Sequence, residues 1–170
     1  MILSDGEIHF LRDLGGYLDV EPWNPDRVQP ASYDLTLGEN VRVYREGNPD
    51  WYCTGFDRLD IKQGDFYLLH TEEVVTLGPK IGAQVCGKST WARKGLIVES
   101  AGWVDPGFSG QLVLEVTNLS PRTVSLFPGQ PIAQIIFMEL KSPAQRPYGP
   151  VRGSHYWGQT GATPAYGSSS

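Results

Sequence analysis

The residues best suited to chemistry stand in one stretch, Gly87 to Glu115, which reads GKSTWARKGLIVESAGWVDPGFSGQLVLE. At its end, LVLEVTN alternates as a strand does. Leu112, Leu114 and Val116 face one way, and Val113, Glu115 and Thr117 face the other. Glutamate is depleted in strands. Glu115 therefore stands either at a water-facing edge or over a pocket, where it would serve as a general acid or base. At the start of the stretch, Lys88 and Arg93 bracket the hydroxyls of Ser89 and Thr90, and Gly95 suits the end of a helical turn. Such a turn is either a solvated surface helix or a phosphate site, since free N–H groups beside a cation favour an anion. Asp105 precedes Pro106 among Gly102, Gly107 and Gly110. It sets an Asx turn, or it holds a hydroxyl or a water where backbone can come close to a ligand.

These groups need a frame, and the rest of the chain describes a β body. Ser4 to Leu14 reads as a helix: Ser4 and Glu7 make a capping box, Ile8, Leu11 and Leu14 share a face, and Gly15-Gly16 ends it. Strands are expected at Ala31–Gly38, Val41–Tyr44, Asp65–Leu69, Glu73–Leu77, Ala83–Cys86, Val124–Phe127 and Pro131–Leu140. His70-Thr71-Glu72 is expected to split two of them, and Glu46–Asp50 reads as a polar loop. Short strands with frequent turn signals point to a compact β barrel or jelly roll. From Tyr148 onward the composition shifts to glycine, serine, proline and aromatics, with no core pattern. The expectation is a single β domain over 1–170 with 149–170 as a tail, either disordered or ordering as a lid over a ligand.

Composition narrows the function. The chain has 170 residues, with 20 Gly and 13 Pro, enough length for one core and a bias away from helical bundles. A net charge of −5 speaks against general nucleic-acid binding, although a local basic cluster can still hold one phosphorylated small molecule. Cys53 and Cys86 are the two cysteines, too few for a disulfide framework. The start, MILSDGEIHF, carries no basic region leading into an apolar core, and no apolar run approaches a membrane span. A cytoplasmic chain with free thiols and no membrane partner is expected. His9, His70 and His155 show no metal-ligand spacing, and no H-x-E or P-C-x-x-C is present, so the zinc deaminase pattern is missing.

Taken jointly, the motifs resemble the dCTP deaminase family of the dUTPase-like fold. The matching pieces are MILSDGEI, ASYDLTLG, FYLLHTEE, GKSTWARKGL, AGWVDPGFSGQLVLE, PGQPIAQIIF and the tail RPYG followed by HYWGQTG. They keep the family's order and span nearly the full length. The resemblance implies a mostly β, distorted-barrel or jelly-roll fold with a short N-terminal helix. It implies zinc-independent hydrolysis of dCTP to dUTP and ammonia, Mg²⁺ on the substrate triphosphate, and dTTP as a candidate inhibitor. It also implies a homotrimer with active sites between subunits. By position, Glu115, Ser89 and Arg93 fall on the catalytic residues. Lys88, Thr90, Ala101, Asp105, Val113, Tyr148, His155 and Gln159 fall on substrate-binding positions, with no protein metal ligand.

The A-G-W-V-D form at Ala101–Asp105 looks more like members that also cleave dUTP to dUMP and pyrophosphate. His155 occupies a place where members often carry Lys before the tail tyrosine. Three readings follow: a dCTP deaminase, a bifunctional deaminase and dUTP diphosphatase, and a non-catalytic nucleotide-binding regulator.

Overall fold

The computed structural model describes residues 1–45, 48–99 and 102–167, with side chains described for all of these except 44–51 and 99. One sheet holds β5 (Asn48–Thr54), β4 (Asn40–Arg45), β7 (Phe66–Leu77), β11 (Ser109–Asn118) and β9 (Leu96–Glu99) in that order, with β1 (Leu18–Glu21) also on β7. The second runs β10 (Trp103–Val104), β8 (Ile81–Gly87), β13 (Pro131–Glu139), β3 (Ser32–Thr36) and β2 (Val28–Gln29). A ribbon of β6 (Leu59–Ile61) and β12 (Val124–Leu126) completes the strands. Both sheets feed one apolar core that joins Leu114 and Val116 of β11 to Ile135 and Phe137 of β13. This double-sheet body is the expected mostly β architecture.

The N-terminal helix α1 (Asp5–Leu14) starts as its capping box dictates. The Ser4 hydroxyl accepts the Glu7 amide, and Glu7 Oε2 accepts the Ser4 N–H at 2.8 Å. The second helix, α2 (Ser89–Ala92), is a single turn joining β8 to β9. Its Trp91 is buried and donates its indole N–H to the Pro131 carbonyl at 2.8 Å, which pins the turn to the second sheet.

Strand β11 sets the direction of Glu115. Gly110, Leu112, Leu114, Val116 and Asn118 are buried, while Gln111, Val113, Glu115 and Thr117 are half-exposed. A one-residue slip would turn Leu112, Leu114 and Val116 outward, costing about 1.5–3 kcal/mol for each. The same slip would drive Glu115 into the core. The apolar periodicity therefore fixes the carboxylate on the outer face.

Strand β7 departs from expectation. His70-Thr71-Glu72 does not break it; Phe66–Leu77 is continuous. The register shift lies here: Gln111 pairs with Val74 and Val113 with His70, so three residues of β7 face Leu112 alone. This bulge satisfies its own polar groups. Thr71 Oγ1 accepts the Leu112 N–H at 2.9 Å and donates to the Glu73 carbonyl at 2.8 Å. Buried Glu73 accepts from Arg27 Nη1 at 2.6 Å and from the Thr36 hydroxyl at 2.7 Å. Burial pushes the Glu73 carboxyl above its ordinary value, with these hydrogen bonds and Arg27 opposing. Another departure is β5: Asn48–Asp50, read as loop, pairs with β4 through a hairpin. Its hydrogen-bonding partner lies outside the local sequence window.

Candidate active site

A cleft of about 590 Å³ opens over the outer face of β11. Val113 and Glu115 form its floor with Phe66 and Leu68 of β7. Glu115 lies opposite Leu68 on one side and pairs with the backbone of Glu99 on the other. It is half-buried, which suits a carboxylate that must exchange protons with a bound ligand. One wall comes from the β10–β11 turn, where Trp103, Asp105 and Phe108 line the cleft. The Trp103 indole N–H donates to Asp105 Oδ1 at 3.0 Å, holding that carboxylate in one orientation.

The roof is the C-terminal tail, which folds back on its own chain. Tyr148, Tyr156, Gln159 and Thr163–Ala165 line the cleft. The Tyr148 N–H donates to the Pro106 carbonyl at 2.8 Å, and Tyr148 Oη accepts the Tyr156 N–H at 2.9 Å. Among the described residues, β9 pairs with β11 over Glu115–Asn118 and not at Ser109–Gln111. The tail bonds to that segment. Gly158 N–H donates to the Ser109 carbonyl at 2.7 Å, and Gln111 N–H donates to the Gln159 carbonyl at 3.0 Å. Two glycines make room. A Cβ on Gly107 would lie 2.5 Å from the Tyr148 carbonyl, and one on Gly110 would lie 3.0 Å from that of Gln159. Both also have positive φ, 92° and 152°.

Glu115, Asp105, Val113, Tyr148 and Gln159 are thus brought together around one cleft. The turn carrying Lys88, Ser89, Thr90 and Arg93 is not among its described lining residues. Leu96 pairs with Asn118 while Glu99 pairs with Glu115. The α2 turn therefore joins β9 three residues farther along, about 10 Å at strand rise. Ser89, Thr90 and Arg93 are exposed there, and Lys88 Nζ is salt-bridged to Asp34 of β3. His155 stacks on Tyr166, with ring centroids 3.7 Å apart, and is likewise not a described lining residue. Ala101 lies outside the described residues. No Lys or Arg lines the cleft among the described residues, whereas carboxylates and aromatics do.

The dCTP deaminase-like family matches residues 2–140. The chain belongs to this family. It is 38% identical to the dCTP deaminase, dUMP-forming, of Bifidobacterium longum (strain DJO10A), over 97% of this chain and 93% of the relative. It is 41% identical to the dCTP deaminase of Natronomonas pharaonis, over 95% of this chain and 92% of that one. Among solved structures, the 2'-deoxycytidine 5'-triphosphate deaminase from Agrobacterium tumefaciens aligns with a TM-score of 0.68 at 23% identity, covering 80% of this chain and 47% of that chain. The dUTPase of EIAV aligns with a TM-score of 0.52 at 20% identity, over 78% and 95%. At these identities the structures establish the dUTPase-like fold.

The family match ends at Leu140, before the tail, whereas alignment with the Bifidobacterium relative runs over nearly the whole chain. The cleft holds residues that sequence reasoning did not single out. Phe66, Leu68 and Phe108 reach it through pairing and turn geometry that carry no local signal. Trp103 is visible in the sequence as an aromatic two residues before Asp105, but its hydrogen bond depends on the turn. Gln111 does not line the cleft but joins the tail beside it, and it shares the β11 face of Val113 and Glu115 by parity, so alternation could have found it.

Proposed function

We propose that this chain is an enzyme that deaminates dCTP hydrolytically to dUTP and ammonia. The observation that carries the reading is Glu115, held half-buried on the cleft floor by a strand that cannot slip. Water adds to C4 of cytosine as the Glu115 carboxylate takes its proton. The carboxyl then protonates N3, and a second transfer to the amino group lets ammonia leave as the C4 carbonyl forms. One carboxylate can serve each transfer if it stays within hydrogen-bond reach. Val113 and the aromatic roof, Tyr148 and Tyr156, bracket the base, and Gln159 approaches from the lid.

A triphosphate needs cations, and none lines the cleft among the described residues. The exposed Ser89–Arg93 turn of a second copy supplies them in this reading, which makes the active unit an oligomer; the family resemblance points to a homotrimer. With Lys88 neutralised by Asp34, Arg93 carries most of that role, and Ser89 and Arg93 orient the reacting groups and stabilise developing charge. Mg²⁺ arrives with the substrate. The cleft offers it only the carboxylates of Glu115 and Asp105 among the described residues, so phosphate oxygens and water would complete its shell. Free Cys53 and Cys86 suit a cytoplasmic setting, where the nucleotide pool also lies.

A second reading extends the first: the same cleft goes on to hydrolyse dUTP to dUMP and pyrophosphate. Asp105, oriented by Trp103, favours it as the group that activates a water for attack at phosphorus. Relatives named dUMP-forming favour it too. Chromatography of products from dCTP and from dUTP decides. Ammonia with dUTP accumulating marks the deaminase alone; ammonia with dUMP and pyrophosphate marks both steps. No turnover of either nucleotide would leave the regulator reading. If both steps occur, Asp105→Asn should lower dUTP cleavage by about 10²-fold or more while dCTP deamination continues.

A further inference from the structure

Gln111 takes no part in the reaction above and is not among the residues lining the cleft. Its side chain nevertheless joins the β7 bulge to the tail. Nε2 donates to the Glu72 carbonyl at 3.0 Å, and Oε1 accepts the Gly161 N–H at 2.7 Å. Its backbone holds Gln159 twice over. The Gln111 N–H donates to the Gln159 carbonyl at 3.0 Å, and the Gln111 carbonyl accepts Gln159 Nε2 at 2.8 Å. The amide orientation is determined by its surroundings, since a flipped amide would set oxygen against oxygen and N–H against N–H. On the bulge side the bond ends on rigid structure, because Thr71 and the Arg27–Glu73–Thr36 group lock the residues flanking Glu72. On the tail side Arg42 Nε donates to the Ala162 carbonyl at 3.1 Å, next to Gly161.

We infer that Gln111 is the positioning residue of the lid: its side chain latches Gly161 to the β7 bulge and so sets the fraction of molecules with Gln159 closed over the cleft. The latch is made within the chain, so its strength sets the closed fraction, and the affinity a nucleotide shows depends on that fraction. The consequence for turnover rests on the deaminase reading above; the docking of the tail does not.

Two variants separate latch from scaffold. Gln111→Met keeps length and loses donor and acceptor. Gln111→Glu keeps the acceptor for Gly161 and loses the donor to Glu72. Amide hydrogen exchange across 158–162, measured on the full chain without nucleotide, should quicken by roughly tenfold in Gln111→Met, from the loss of two modest hydrogen bonds, and by less in Gln111→Glu. Amides of β13 should keep their protection. With dCTP, KM should rise in the same order while kcat stays within about twofold, since binding energy removed equally from ground and transition states acts on KM. Unchanged exchange in Gln111→Met overturns the latch. Faster exchange with KM unmoved overturns its role in binding. Equal loss in both variants with a lowered melting temperature overturns the proposal in favour of a plain structural role. A wild-type chain that leaves dCTP untouched counts against the deaminase reading, and exchange still decides the latch.

Discussion

A carboxylate that shuttles protons must be near its ligand, partly shielded from water and unable to swing away. Glu115 meets the last two: it is half-buried, and Leu114 and Val116 are fully buried on either side, so the backbone between them is fixed. Asp105 meets only the last, in an exposed turn but tethered by the Trp103 indole. Deamination should therefore depend on Glu115 as an acid and base rather than as a hydrogen-bonding shape. Glu115→Gln, which keeps the shape, should cut ammonia release from dCTP by about 10²–10⁴-fold. A steady-state ammonia assay reads this directly, and a variant within tenfold of wild type would remove Glu115 from the chemistry.

At the scale of elements, the pairing of β7 with β11 and its bulge hold the floor. His70 sits at the edge of the bulge, buried, with Nδ1 donating to the Thr71 carbonyl at 2.8 Å and Nε2 accepting the Asn40 N–H at 3.1 Å. Both ring nitrogens are thus committed to the neutral form. Its ring also fills the space beside Gly38, where a Cβ would come within 2.1 Å of Cε1. Burial holds the imidazole below its ordinary 6.5, with the Thr71 hydrogen bond and Glu39 opposing. As pH falls, the unfolded chain takes up this proton before the folded chain does. The stability that neutral His70 contributes is present above about 6.5 and is lost as pH falls from there through the folded value. Glu73, pushed upward from 4.5, acts in the opposite sense: its contribution is lost as pH rises from there through its folded value. The difference isolates His70: denaturant unfolding at pH 7.5 and 5.5 should show a larger loss for wild type than for His70→Gln. Equal losses would mean that His70 does not carry the pH dependence.

For the whole molecule, charge decides. The chain carries −5 overall, and its cleft adds Glu115 and Asp105 without a Lys or Arg among the described lining residues. In the proposed reading, the cation that a triphosphate needs comes from the exposed Ser89–Arg93 turn of another copy. The test is complementation. Glu115→Ala and Arg93→Ala should each be inactive alone. Mixed by co-refolding, they should regain about a quarter of wild-type activity, because in a random assembly one site in four pairs an intact Glu115 with an intact Arg93. No recovery would put both residues in the site of a single chain.

How much was legible depends on how local the cause is. The α1 cap, the alternation of β11, the outward face of Glu115 and the glycines of the DPGFSG turn all follow from neighbours a few residues apart, and side-chain parity or backbone freedom decides them. The continuity of β7 through His70-Thr71-Glu72 was not legible, because a polar segment stays in a strand only when Thr36, Arg27 and Leu112, distant in sequence, satisfy it. Nor was the seat of the tail. Residues 158–161 have no apolar pattern, and they dock through hydrogen bonds to the Ser109–Gln111 segment of β11 that only the fold brings within reach. The sequence by itself determined the fold family and the acid on its strand. Tertiary structure alone decided which residues share the cleft, that the tail closes over it, and that the basic turn is not among the described lining residues, since hydrogen bonds left open by one element are filled by whichever segment the fold brings near.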